Sequence, residues 1–290
     1  MMIKLIAIIS MIIDHTGMVL YPGFGIAGFP ILRIIGRIAM PLFAYSIAKG
    51  FYYTSNKPRY FGYMFFFATL SQIPFHYMRL SAGLTNISLN IMVTWFLAMI
   101  FLLGIERAMH MGRLLLTVQW TGLEQRVRLN LLQVFLTTIF LLVFPIFFLK
   151  VVLAHFNITI DFGLYGIILP ALFYIPLYGV KVWKGEEYGE DVLVAQEDKD
   201  SLAKETKRTP RKRKEQVAYS VVDYFFVLLF VAIATFWLWP RHSIQQYAVL
   251  AVFFIPLTIK FDKSIRLPKL FFYLFYPVHM IILVIIHNLL

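Results

Sequence analysis

The chain reads as an all-α integral membrane protein, a polytopic bundle of about nine transmembrane helices with its amino terminus in the cytoplasm. Three observations lead there. Of 290 residues, 60% are hydrophobic and only 14% are charged, against about 45–50% and about 25% in soluble domains. A helical span needs about 20 apolar residues, and such stretches recur at 3–20, 31–52, 60–78, 87–105, 129–149, 162–180, 217–239, 246–259 and 270–289. With the amino terminus inside, 22 of the 27 Lys and Arg residues fall on cytoplasmic loops and three on outer ones, as the positive-inside rule requires. The net charge of +12 is thus explained by topology, and nucleic acid is not needed as a partner. The absence of Cys excludes disulfides, zinc–thiolate sites, iron–sulfur clusters and cysteine nucleophiles.

Taken in order, each stretch adds something. The first carries Lys4 and then Leu5–Ile13, which could suggest a signal peptide, but Asp14 and His15 interrupt the run and no small-residue cleavage pattern follows. It reads as a retained span. In the second, Arg33, Arg37, Met40 or Pro41, Ala44 and Ala48 share one stripe beside Gly36. Small residues allow close helix approach and arginines avoid lipid, so this stripe faces the bundle interior. Pro41 predicts a kink that frees a carbonyl near Arg37. The third stretch ends Ser71-Gln72-Ile73-Pro74-Phe75-His76, and the fourth opens with Ser88 and Asn90. The sixth begins with Asp161 and Tyr165, and the ninth contains Tyr276-Pro277-Val278-His279. Residues 184–216 form the one long polar segment, acidic first and basic last, read as a flexible cytoplasmic loop within a single transmembrane unit over 1–290.

Polar groups within spans carry the functional signal, because a central Asp, Lys or Arg costs about 2.5–3.5 kcal/mol on insertion scales. At 1.5 Å rise per residue, Asp14 and His15 lie roughly 15 Å from the cytoplasmic side, and Arg37 and His279 roughly 9 and 14 Å from the ends of their own spans. Ser88, Asn90, Asp161 and Tyr165 are level with them, which predicts a buried polar chamber. Adjacent helical residues point about 100° apart, so Asp14 and His15 face different partners. Asp14 is the counter-ion for Arg37 or Arg33. His15 is left to face the chamber, where an imidazole suits general-base work. His279 either joins the site or satisfies a carbonyl freed by Pro277. No phosphate-cradling Gly-rich motif, metal-binding His-Glu-x-x-His or Gly-x-Ser-x-Gly elbow is present, and no metal site is expected.

Several blocks resemble the TraX family of polytopic membrane acetyltransferases, typified by the F-pilin N-acetyltransferase. They are Met11-Ile-Ile-Asp14-His15-Thr-Gly17, Gly36-Arg37-Ile-Ala-Met-Pro41-Leu-Phe43-Ala-Tyr45, Tyr53-Thr54-Ser-Asn56, Ser71-Gln72-Ile-Pro74, Leu89-Asn90, Asp161-Phe-Gly163-Leu-Tyr-Gly166 and Phe275-Tyr276-Pro277-Val-His279. The blocks keep the family's order and cover most of the chain. Met40 and Phe162 depart mildly from the pattern, and 184–216 looks like an extension.

The resemblance implies an acyltransferase of the bacterial cytoplasmic (inner) membrane that takes acetyl from cytosolic acetyl-CoA to an amine or hydroxyl of a membrane or surface acceptor. By that implication His15 is the base, and Asp14, Arg37 and His279 belong to the catalytic site. Acetyl-CoA phosphates are then expected at Lys57, Arg59, Arg126, Arg128, Lys263 or Arg266. Arg33, Gln72, Asn90, Asp161 and Tyr276 are the supporting polar groups, with Asn90, Gln72 or Arg37 stabilising the oxyanion. Direct transfer and a transiently acetylated His15 or His279 both remain open. Two readings from other classes compete. A transporter or channel would also place charges mid-membrane, and a non-catalytic assembly protein would use 184–216 to recruit partners.

Overall fold

The computed structural model describes residues 2–20, 31–117, 125–179, 221–238, 244–260 and 268–290. The loop 184–216 lies outside them. Each apolar stretch becomes a helix. α1 covers Met2–Val19. Residues 31–36 form α2, and after a turn at Arg37 and Ile38 the chain continues as α3, Ala39–Tyr53. α4 is Lys57–Ser81, α5 Ile91–Thr117, α6 Gln125–Phe147 and α7 Gly163–Tyr174. α8 is Val221–Leu238, α9 Ala251–Lys260, entered through a 3₁₀ segment at Ile244–Leu250, and α10 Lys269–Leu289.

Five helices are long and apolar enough to cross a bilayer: Met2–Val19, Ile31–Tyr53, Ile91–Leu116, Leu129–Leu153 and Leu270–Leu289. The helices at Gly163–Gly179, Phe225–Phe236 and Gln245–Ile255 are apolar but shorter. α4 has the length for a span, yet Arg59, Gln72, His76 and Arg79 dilute its apolar character.

α3 and α5 occupy the centre. α3 packs on α1 and α7, and α5 on α4, α6 and α7, while α10 lies along α4 and α1. One large core joins Ala7, Ala44, Ala48, Phe51, Ala98, Leu102, Phe173 and Met280 from these helices. α6 turns Leu132, Phe135, Phe140 and Phe147 outward. Exposed residues of this size suit a lipid-facing helix and would be a liability in water.

The break between α2 and α3 falls where Pro41 predicts it. Pro41 has no N–H for the Arg37 carbonyl, and its ring crowds that oxygen. The Arg37 N–H is shared between the carbonyls of Arg33 at 3.2 Å and Ile34 at 3.1 Å. Ser10 on α1 donates to the Ile35 carbonyl at 2.5 Å, tying α1 to this weak point.

The fourth stretch differs from expectation at its start. Ser88–Leu89 is not helical but forms β1, paired in parallel with β2, Thr159–Ile160. Asn90 then caps α5, its Oδ1 accepting from the N–H of Met92 at 2.9 Å. After β2, Phe162 and Gly163 take left-handed φ values of 60° and 49° and turn the chain into α7. The ribbon therefore brings Asn90 and Asp161 to the same end of the bundle.

Gly36 sets how closely α1 and α2 approach. A Cβ there would overlap the Asp14 carboxylate. We expect Gly36→Ala to lower stability by about 1–3 kcal/mol, the usual cost of overpacking, read as the thermal midpoint of the detergent-purified protein. Gly62→Ala, where a Cβ meets nothing within 4 Å, should leave that midpoint unchanged or raise it.

Candidate functional site

Asp14 sits on the face of α1 that meets α2. Its Oδ1 accepts from Nη2 of Arg37 at 2.5 Å, and its Oδ2 from Nη1 of Arg33 at 2.6 Å. Both arginines that the sequence offered as its counter-ion are engaged. They lie one helical turn apart, so one carboxylate can hold both, one oxygen each. Two guanidiniums against one carboxylate leave a positive surplus in a desolvated setting, and each charge is retained because the others are present. Arg37 is buried, and each of its three guanidinium nitrogens makes a hydrogen bond. Its Nη1 donates to Oε1 of Gln245 at 3.2 Å and its Nε to the Arg33 carbonyl at 3.1 Å. The ring of Phe162, presented by its left-handed backbone, lies 5.7 Å from the Arg37 guanidinium carbon.

His15 points away from Asp14, as the 100° offset requires, and meets α10. Its Nδ1 lies 2.7 Å from Nε2 of His279, with the two rings stacked at 10°. The second nitrogen of His279, Nδ1, is 3.0 Å from the Phe275 carbonyl. These contacts assign the protons. A carbonyl only accepts, so His279 Nδ1 carries a hydrogen. In neutral His279, Nε2 is then an acceptor, and His15 Nδ1 must donate to it. The remaining nitrogen of neutral His15, Nε2, therefore presents a lone pair. An oriented imidazole with a free basic nitrogen is what general-base chemistry needs. His279 does not satisfy the carbonyl that Pro277 frees. That carbonyl belongs to Tyr273, four residues earlier, and His279 bonds Phe275 instead.

The other expected residues divide. Tyr276 faces the backbone of Ile91 and lies within electrostatic reach of Asp161. Asp161 is in turn within reach of Arg37 and Arg33, and its carbonyl accepts from the Thr94 hydroxyl at 2.6 Å. Gln72 and Asn90 are committed elsewhere. Asn90 Nδ2 donates to the Ala68 carbonyl at 2.7 Å and to Gln72 Oε1 at 2.9 Å, and Gln72 Nε2 donates to the Ser88 carbonyl at 2.8 Å. Together they bind α4 to the start of α5, so Asn90 has no hydrogen left for an oxyanion.

Of the expected phosphate ligands, Lys57 is paired with the buried Glu106 and lies over Phe51. It is not available as a free cation. Arg59 stacks on Tyr63 and donates to its hydroxyl at 3.0 Å. It also lines an open groove of about 510 Å³ with Gly62, Tyr63, Phe66, Phe67 and Leu270. The side chains of Arg126 and Arg128, and all of Lys263 and Arg266, lie outside the described residues. Sequence reasoning missed Gln245 and Glu106. Both sit at the edge of an apolar stretch, where a polar residue looks like an ordinary loop boundary.

The family profile described as TraX protein matches residues 1–188. The chain belongs to the TraX family. That match takes in Asp14, His15, Arg33, Arg37 and Asp161, whereas Gln245, Tyr276 and His279 lie beyond it; His279, a candidate from the sequence, meets His15 in the fold. Among curated relatives, the chain is 35% identical over 74 residues to "Probable fimbrial assembly protein FimC, serogroup H1" of Dichelobacter nodosus, covering 26% of this chain and 30% of the relative. It is 45% identical over 58 residues to "Uncharacterized protein RP591" of Rickettsia prowazekii (strain Madrid E), covering 20% of each. The chain thus spans less than a third of the length of either relative. No solved structure matches this TraX-family chain.

Asp161 lies in the connection 154–162 between two apolar helices, and burial there pushes its carboxyl from 3.8 up to about 6, against the pull of Arg37 and Arg33. Across that window the folded protein binds more protons at Asp161 than the unfolded chain does. The stability contributed by this group is therefore present at low pH and lost as pH rises through about 6. Asp161→Asn should flatten the dependence of the thermal midpoint on pH between 4 and 6, and an unchanged slope would remove Asp161 as its source.

Proposed function

We propose that the chain is a membrane-bound acetyltransferase, crossing the bacterial cytoplasmic membrane nine times with its amino terminus inside. It moves acetyl from cytosolic acetyl-CoA to an amine or hydroxyl of a membrane-associated or extracytoplasmic acceptor. The observation that carries this reading is the His15–His279 pair anchored on the Phe275 carbonyl, set beside two arginines that share one carboxylate.

The site fits the substrate on two counts. Arg59, free of any acidic partner among the described residues, lines an apolar groove and suits a phosphate. α10 forms part of that groove at Leu270 and rises nine residues, about 14 Å, to His279. His15 Nε2 takes the proton of the acceptor as its nitrogen or oxygen attacks the thioester carbonyl. His279 holds the hydrogen on His15 Nδ1 and so keeps Nε2 basic. His15 then returns the proton to the departing sulfur, leaving acetylated acceptor and the free thiol of CoA. Positioned bases of this kind contribute about 10²–10⁴-fold.

The name of the FimC relative, a probable fimbrial assembly protein, supports a pilus subunit as one acceptor class to test. The same name favours a second reading, a non-catalytic assembly protein.

Acetyl-CoA binding, and thiol release with hydroxylamine as a probe acceptor, separate these readings. His15→Ala should bind acetyl-CoA like the wild type while losing roughly 100-fold or more in turnover. His279→Gln, whose amide oxygen can still accept from His15, should retain more turnover than His279→Ala. A folded, monodisperse wild type that binds no acetyl-CoA would contradict the enzyme reading.

A further inference from the structure

The acetyl-transfer reading needs a donor for the oxyanion that forms as the thioester carbonyl is attacked, and the structure distinguishes the possible donors by what each already holds. Arg37 gives Nη2 to Asp14, Nη1 to Gln245 and Nε to the Arg33 carbonyl. Asn90 has both amide hydrogens committed, and Gln72 Nε2 is turned to Ser88. Arg33 differs. Its Nη1 donates to Asp14, and among the described residues its Nε and Nη2 hydrogens meet no acceptor. Its side chain is also the more open of the two, 19% exposed against 8% for Arg37. Both guanidiniums lie within electrostatic reach of the His15 ring.

We infer that Arg33 donates to the developing oxyanion, and that Arg37 is a positioning residue that holds Asp14 and through it aims Arg33. This rests on the acetyl-transfer reading. As the acceptor's lone pair forms the new bond to the carbonyl carbon, the carbonyl π electrons move to oxygen, where the Arg33 Nε and Nη2 hydrogens receive them. When that pair returns, the carbon–sulfur bond breaks and the sulfur takes the proton held by His15. Arg33 stays protonated throughout. The guanidinium fork suits the role because its unused edge offers two parallel donors in fixed geometry.

The test compares acetyl-CoA with S-carboxymethyl-CoA, whose carboxylate places a negative charge next to the carbonyl position, on the full-length detergent-purified protein. The wild type should bind the carboxymethyl compound more tightly. Arg33→Gln should bind acetyl-CoA as the wild type does but lose roughly tenfold or more of that preference. Its kcat for thiol release with hydroxylamine should fall roughly 10²–10³-fold with little change in KM. Arg33→Lys keeps the charge beside Asp14 and guards against misfolding. It should hold the wild-type thermal midpoint and recover only part of the preference and the rate. Retention of both in Arg33→Lys and Arg33→Gln would overturn the assignment. So would a joint loss of thermal midpoint and acetyl-CoA affinity, which marks a structural role. A wild type that binds acetyl-CoA without preferring the carboxymethyl compound would overturn Arg33 alone, whereas a folded wild type that binds neither would overturn the acetyl-CoA reading and this inference with it.

Discussion

A carboxylate held between two guanidiniums in an apolar interior constrains everything around it. Removing the carboxylate from such a group leaves two uncompensated buried charges, and breaking a buried pair costs about 3–5 kcal/mol. The surrounding structure is arranged to keep all three together. Gly36 lets α1 come close enough for Asp14 to reach both arginines, and Pro41 breaks the second apolar stretch at the arginine nearest the break. Gln245, from the segment before α9, supports the far side of Arg37. Because His15 follows Asp14 directly on a helix, fixing the carboxylate also fixes the direction of the imidazole. The ion triad thus settles which way the His15 imidazole points, and α10 supplies His279 at the matching height.

The fold was legible where the physics is one-dimensional. Long apolar runs become helices because backbone groups in hydrocarbon must bond within their own segment. Legibility failed where chain neighbours decide the outcome. Ser88 and Leu89 are as apolar in context as the start of any span, and only pairing with Thr159 and Ile160, seventy-one residues away, makes them a strand. The site shows the same division. Asp14, His15, Arg33 and Arg37 stood out because ionisable residues are rare within apolar runs. Gln245 and Glu106 did not, since they border loops. Lys57 was read as a free cation because sequence gives no sign that Glu106 would be buried beside it. The departure at Phe162 looked mild in sequence. In the fold it is a left-handed residue whose ring lies against Arg37, a strained position of the kind that gathers at functional sites.

Family membership and geometry support different parts of the functional reading. The TraX profile covers the half of the site carried by α1, α2 and the Asp161 connection. Its match ends before α10, so the partner of His15 is argued from a 2.7 Å contact and the chemistry of a carbonyl acceptor. Those two contacts turn a pair of histidines into an assigned chain of donors with one basic nitrogen free.

The central claim is that acetyl passes from acetyl-CoA to an acceptor at His15, and following isotope-labelled acetyl tests it most directly. Membranes containing the wild-type chain, given acetyl-CoA labelled in the acetyl group, should yield label covalently attached to a membrane or surface macromolecule and an equal amount of free CoA thiol. Membranes with His15→Ala at the same protein level should yield neither above the vector control. Equal labelling in both would contradict the account.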